Sequence, residues 1–224
     1  AAPVIVDEKA DLETAIPSLL KGGFYHAGQV CVSVQRVFAH EAIAAELAQR
    51  LAAGAAKLVV GDPALAETEV GPLILPREVD RVHEWVEEAV AAGAELLTGG
   101  QKLSATTYAP TVLLNPPAAA KVSTREIFGP VVCVYGYKNR LEAIERANSL
   151  DVAFQAAVYT RDLDVANDTA KRLDAAAVMV NDHTAFRVDW MPFAGRRSSG
   201  YGIGGIGYTM RDMVQSKMVV VKHG

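Results

Sequence analysis

Two periodicities alternate along most of this chain, and that alternation confines it to a narrow set of folds. Gln35–Ala39, Thr111–Leu114, Val131–Tyr135, Gln155–Thr160 and Ala177–Asn181 are short runs rich in β-branched and other apolar residues, and read as strands. Between them, Glu41–Leu58 sets Ile43, Leu47 and Leu51 four apart, and Arg77–Ala92 lines up Val79, Val82, Val86 and Val90 on one helical stripe. Leu141–Ser149 and Leu163–Asp174 are further helical patterns, and Glu95–Thr98 is a strand closed by Gly99-Gly100. Asp7–Asp11 supplies a cap for a helix running to about Tyr25, despite Pro17 and the Gly22-Gly23 pair. Strand and helix in turn predict an α/β chain, a mostly parallel twisted sheet with flanking helices. Only the C-terminal part breaks the rhythm. There a Gly- and Arg-rich stretch, Phe193–Gly207, leads to Lys217–Lys222, expected to be an outlying C-terminal strand. One α/β domain over residues 1–207 and a terminal segment over 208–224 follow.

With 224 residues the chain can bury a proper core. Its net charge of −4 lacks the basic footprint that nucleic acid or an anionic membrane surface requires. No run of about 18 apolar residues offers a membrane span. The opening segment has neither the basic start nor the apolar core of a secretory leader. Cys31 and Cys133 lie far apart, giving neither a disulfide framework nor a Cys-x-x-Cys metal spacing. A reduced, cytoplasmic protein without a bound metal is therefore expected. The chain starts without methionine and runs straight into Pro3-Val4-Ile5-Val6, as a piece of something longer would; a processed terminus would look the same.

Chemistry concentrates first at Phe24-Tyr25-His26-Ala27-Gly28-Gln29-Val30-Cys31. A cysteine just after a glycine turn, between a helix and a strand, can sit partly exposed with backbone N–H groups aimed at its ligand. Such amides stabilise a thiolate, and then the oxyanion formed when it attacks a carbonyl. The competing reading is a buried structural cysteine. Cys133, inside the apolar run Val131–Val134, reads as inert core.

The wider pattern favours the first reading. Phe24, Gly28, Gln29 and Cys31, spaced Phe-x-x-x-Gly-Gln-x-Cys, resemble the cysteine motif of the aldehyde dehydrogenase superfamily. Glu126-Ile127-Phe128-Gly129-Pro130 resembles that family's second motif. Met191–Gly195 through Ser199–Gly202 resembles its substrate-side loop, with Val178–Asn181 placed correctly ahead of it. The resemblance spans essentially the whole chain. It implies that Cys31 is the nucleophile, forming a thiohemiacetal and then a thioester, with its backbone N–H as half of the oxyanion hole. It implies that Glu126 binds the nicotinamide ribose of NAD or NADP and that Phe128 stands beside the ring. Gly129 and Pro130 would fix the turn that aims both. Phe24, Arg187 and Phe193 become candidate substrate-pocket residues, Arg187 able to grip a carboxylate or phosphate bidentately unless it is simply exposed or salt-bridged.

The same resemblance marks what is missing. The family's general-base glutamate, the asparagine completing the oxyanion hole and the dinucleotide-binding domain would all lie upstream of Ala1. This chain alone is thus expected to be inactive as a dehydrogenase, its parent a homo-oligomer acting on a small aldehyde, with the terminal strand joining an oligomerisation sheet. Departures are Ala194 for a usual glycine, Arg197 for a usual lysine, and Ile203-Gly204 where Arg-Glu is common. Val30 stands where acid-aldehyde relatives carry arginine, which weakens the case for an anionic substrate from that side. Gly200-Tyr201-Gly202-Ile203-Gly204-Gly205 formally matches a dinucleotide fingerprint, yet no hydrophobic strand leads into it. His26 and His183 lack partners at metal spacing, and Met210 and Met213 read as packing or interface residues. Two rival functions stay open: a non-catalytic folded fragment keeping oligomer contacts, and an ester hydrolase using Cys31 with His26.

Overall fold

A computed structural model describes residues 1–224, and it places an unassigned segment at the centre of the sheet. Pro3–Val6, noted only as apolar, is the body of β1 (Ala2–Val6). With β2 (Val34–His40), β3 (Glu95–Thr98), β4 (Thr111–Leu114), β5 (Val131–Tyr137), β7 (Gln155–Tyr159) and β8 (Ala177–Val180) it forms one sheet in the order β3-β4-β5-β2-β1-β7-β8. A two-residue strand, β6 (Val152–Ala153), pairs separately with β9 (Arg196–Arg197). Every neighbouring pair in the large sheet is parallel except β3–β4. Strands β1, β2, β5 and β7 are buried almost continuously rather than at alternate positions. Central parallel strands are covered on both faces and so read as unbroken apolar runs.

The helices are α1 (Leu12–Phe24), α2 (Glu41–Ala55), α3 (Pro76–Ala91), α4 (Lys121–Thr124), α5 (Arg140–Ala147), α6 (Leu163–Arg172) and α7 (Ile206–Asp212). Side-chain caps start four of them: Asp11 accepts from the Glu13 N–H, His40 from Ala42, Asn139 from Leu141, and Asp162 from Asp164 and Val165. Pro76 opens α3, where its missing N–H costs nothing. An Arg50–Glu13 pair at 2.8 Å ties α2 to α1, while Arg140 ties α5 to α6 through Asp168, Thr169 and the Val165 carbonyl. The steps β1 to β2 and β7 to β8 run in opposite directions across the sheet. Right-handed crossovers therefore put α1 and α6 on opposite faces.

The register between β2 and β5 fixes where chemistry can occur. Arg36 lies level with Cys133. Because the two strands are parallel and paired from this point on, the turns that precede them, which carry both sequence motifs, emerge at the same, amino, end of adjacent strands.

The C-terminal strand expected in the assembled protein does not form within the single chain. Residues 214–224 form no strand, and Val219, Val220 and Val221 are 74%, 81% and 69% exposed. A strand requires a partner for its backbone N–H and C=O groups, and this single chain offers none there. Helix α7 replaces part of the presumed loop, straddles the expected boundary at 207/208, and buries none of its residues.

Ahead of it, the glycine-rich loop is latched to the body. Arg196 and Arg197 both pair with Asp174, at 2.9 and 2.6 Å, and Arg197 also donates to the Asn148 and Leu150 carbonyls. The two arginines hold the Asp174 carboxyl below its usual range. Arg197→Ala should quicken chymotryptic cleavage at Phe193 and Tyr201 without changing the circular dichroism of the fold. Unchanged cleavage would show that the loop is held by something else.

Candidate active site

Helix α1 ends at Phe24, and the chain then takes an unusual path. His26, Ala27 and Gly28 hold φ of 50°, 54° and 71°, three left-handed residues in succession. Only glycine adopts this without strain, and Gly28 is required for a second reason. A Cβ there would collide with the carbonyl oxygen of Gly129, so the first turn sits directly on the second.

Side chains then pin the residues around Cys31. Gln29 accepts from the Ile74 N–H at 3.0 Å and donates to the Pro72 carbonyl at 3.3 Å, closing the turn against the 72–74 loop. The Ser33 hydroxyl lies 3.1 and 3.2 Å from the carbonyls of Gly22 and Gly23 in the last turn of α1, groups that a helix end leaves unsatisfied. The Thr184 hydroxyl, fully buried, donates to the Val32 carbonyl at 2.6 Å. Cys31 itself is left free. It is half-buried, its Sγ has no hydrogen-bond partner, and its backbone N–H donates to no protein group. An unpaired N–H beside an unpaired thiol is a donor waiting for a ligand. Cys133 differs on every count: it is fully buried in β5, and burial pushes its thiol up to about 12.

The second turn, Glu126–Pro130, leads into β5. Ile127 is buried, while Glu126 and Phe128 point outward on either side of it. Phe128 is 39% exposed with φ of 46°, a conformation that costs a bulky residue roughly 1 kcal/mol or more. Two side chains hold it there. Gln35 on β2 donates to the Val122 and Arg125 carbonyls at 3.1 and 2.8 Å and accepts from the Ile127 N–H at 3.1 Å. Arg81 on α3 donates to the Ile127 carbonyl at 2.6 Å and is itself fixed by Glu78 at 2.8 Å and by the Trp85 ring at 4.6 Å. Glu126 Oε1 lies 3.0 Å from the Ala1 nitrogen. Its Oε2 has no protein partner. Between the turns remains a 10 Å³ gap lined by Gly28, Val30, Glu126 and Phe128, room for about one water. A wider 850 Å³ cleft borders the cysteine turn at Tyr25, His26, Gln29 and Ile74.

The third block arrives from β8. After Asp182, which accepts from the Ser18 hydroxyl, the chain doubles back along α1 and packs His183 against Gly22. Burial lowers the pKa of His183. Arg187 follows Thr184 by three residues, within about 10 Å of it along the chain. Its guanidinium stands 4.2 Å over the Phe193 ring and forms no ion pair. Phe193 in turn meets Phe154 at 4.6 Å between ring centres.

Of the pocket candidates, Arg187 and Phe193 come together, but Phe24 is placed differently. It is 1% exposed in the core and supports the cysteine turn from inside, so it offers a ligand no surface. His26 packs beside Tyr25 and makes no hydrogen bond to Cys31, so no base is brought onto the thiol. Ser33, Gln35, Arg81 and Thr184 were not foreseen. For Gln35 a signal existed: a polar residue between Val34 and Val37 in a strand covered on both faces must satisfy its amide internally.

Solved structures share this arrangement. Aldehyde dehydrogenase 21 from Physcomitrella patens, in complex with the reaction product succinate, superposes with a TM-score of 0.93 at 37% identity, covering 99% of this chain and 46% of that one. Glyceraldehyde-3-phosphate dehydrogenase from Methanocaldococcus jannaschii, complexed with NADP, gives 0.90 at 37% identity over 95% and 46%. The fold is thus that of one domain of these larger proteins. The aldehyde dehydrogenase family profile matches residues 1–219, and the chain belongs to that family. It is 39% identical to a 3-sulfolactaldehyde dehydrogenase from Priestia aryabhattai over 97% of its own length and 45% of that protein's. The chain therefore spans about half the length of the curated relatives it matches.

Brief iodoacetamide treatment of the folded chain should alkylate Cys31 and spare Cys133, read by peptide mass spectrometry. Equal labelling, or labelling of Cys133 first, would contradict the exposure and thiol acidity described.

Proposed function

We propose that the parent of this chain oxidises an aldehyde to its carboxylic acid, with NAD or NADP as acceptor and Cys31 as nucleophile. The observation that carries the proposal is the unpaired Cys31 thiol and N–H, held on a turn that interlocks with the Glu126–Phe128 turn. The thiolate bonds to the aldehyde carbon, and the resulting oxyanion falls to the Cys31 N–H. The nicotinamide ring, when bound, supplies the hydride acceptor. Loss of hydride leaves a thioester on Cys31; water then adds, the acid departs, and the thiolate is restored. Glu126 and Phe128 suit the nicotinamide end because they flank a buried residue and present a free carboxylate oxygen and an aromatic surface on one turn. The dinucleotide-binding half, the general base and the second oxyanion donor belong to the rest of the parent. The uncovered α7 and residues 214–224 favour assembly with a second copy of the chain.

The substrate class is an aldehyde bearing an anionic group. Arg187 has no carboxylate partner, is presented by the Phe193 ring, and lies on the segment that Thr184 fastens beside Cys31. Among the relatives' names, a sulfolactaldehyde, a glyceraldehyde phosphate and a succinate product carry such a group, whereas lactaldehyde and betaine aldehyde do not, so the reading rests on Arg187.

In the full-length enzyme Cys31→Ser should abolish NAD(P)H production while leaving cofactor affinity intact. Turnover surviving in that variant would end the proposal. Arg187→Leu should raise KM about tenfold for an acidic aldehyde, the worth of one charge-assisted contact, and spare a neutral one of similar size. Equal effects on both would remove Arg187 from substrate recognition.

A further inference from the structure

We propose that Gln35 is a positioning residue that sets the Glu126–Phe128 turn from the strand that follows Cys31, and so couples the nucleophile to the cofactor-facing turn. The proposal rests on the function proposed above for those two turns.

Gln35 is 6% exposed, and all of its amide is committed to the backbone around Glu126. Its Nε2 donates to the Arg125 carbonyl, the residue before Glu126, at 2.8 Å, and to Val122 one turn earlier at 3.1 Å. Its Oε1 accepts from the Ile127 N–H, the residue after Glu126, at 3.1 Å. The amide thus straddles Glu126 and fixes the peptide on either side of it. No other side chain makes more than one such bond there; Arg81 holds only the far carbonyl of Ile127. Backbone hydrogen bonding alone would leave the turn loose, because Glu126, Ile127 and Phe128 donate to no backbone carbonyl.

The turn needs such a restraint. Phe128 holds a left-handed backbone that an aromatic residue abandons once released, and the contact between Gly28 and Gly129 tolerates little displacement. Gln35 lies four residues after Cys31 on β2, and Ser33 between them grips the end of α1. One short stretch of strand therefore sets the cysteine turn at one end and the Glu126 turn at the other. Orientation of two reacting groups to within a fraction of an ångström is where much enzymatic rate originates.

Gln35→Met keeps the volume of the side chain and removes all three hydrogen bonds. In native-state hydrogen exchange of this chain, the Ile127 amide should be protected in the wild type and exchange faster in Gln35→Met, with the β5 amides still protected. Iodoacetamide should alkylate Cys31 at the wild-type rate. In the full-length enzyme the same variant should lose about tenfold or more in kcat, as expected for buried hydrogen bonds left unmade. KM for the aldehyde should stay unchanged, and the kinetic isotope effect with deuterated aldehyde should rise. An Ile127 amide unprotected in the wild type would overturn the proposal even if the variant fails to fold. Unchanged kcat and isotope effect in a folded variant, or a rise in KM alone, would overturn it too. Failure of wild-type full-length protein to reduce NAD(P) would instead refute the proposed function, and would leave the exchange result to judge the clamp.

Discussion

The site depends on one close approach: the α-carbon of Gly28 against the carbonyl of Gly129. Everything around it serves that contact. β2 and β5 are adjacent and parallel, so their preceding turns share an end of the sheet. Three left-handed residues bend the first turn down onto the second; the first is closed by the backbone bonds Gln29 to His26 and Ser33 to Val30, whereas Glu126, Ile127 and Phe128 donate to no backbone carbonyl. Side chains supply the remaining restraint: Ser33 and Thr184 around the cysteine, Gln35 and Arg81 around the glutamate. A residue larger than glycine at position 28 would force the turns apart, and the chemistry proposed for them with it.

Rigidity is distributed unevenly in consequence. The strands are buried on both faces, and the two turns are bolted to them. By contrast, Arg187, Phe193 and the latched loop after them rest on stacking and on one surface ion-pair cluster. Surface pairs of this kind contribute little singly. The division would suit the proposed function, with the proposed reacting groups on turns anchored to the sheet and the proposed discriminating group on a segment held less firmly. Gly22 and Gly23 join the two regions. Their missing side chains admit His183 on one side and Val132 on the other, letting the substrate-side segment lie close along α1.

Much of the fold was legible because its signals are local. The valine stripe of Arg77–Ala92, the cap within Asp7–Asp11, and the β-branched runs of Thr111–Leu114 and Val131–Tyr135 each specify their element within a few residues. β1 was noted only as an apolar run, since Pro3 within it argues against a central strand, and Lys217–Lys222 was read as a strand because three valines have that propensity, though the single chain offers them no partner. Cys31, Glu126 and Phe128 were legible as motifs. Their supports were not: a glutamine in a strand and a threonine in a loop acquire meaning only when the carbonyls they bind, far away in sequence, are brought to them. Phe24 shows the reverse error, a motif residue whose place is in the core.

The account stands or falls on a covalent bond at Cys31. Full-length enzyme mixed with an acidic aldehyde and NAD or NADP, quenched in acid during turnover and digested, should yield the peptide containing Cys31 with the mass of the acyl group added. The mass should return to that of the free thiol once substrate is exhausted. Continued NAD(P)H production with that peptide unmodified, or with the acyl group on another residue, would contradict it.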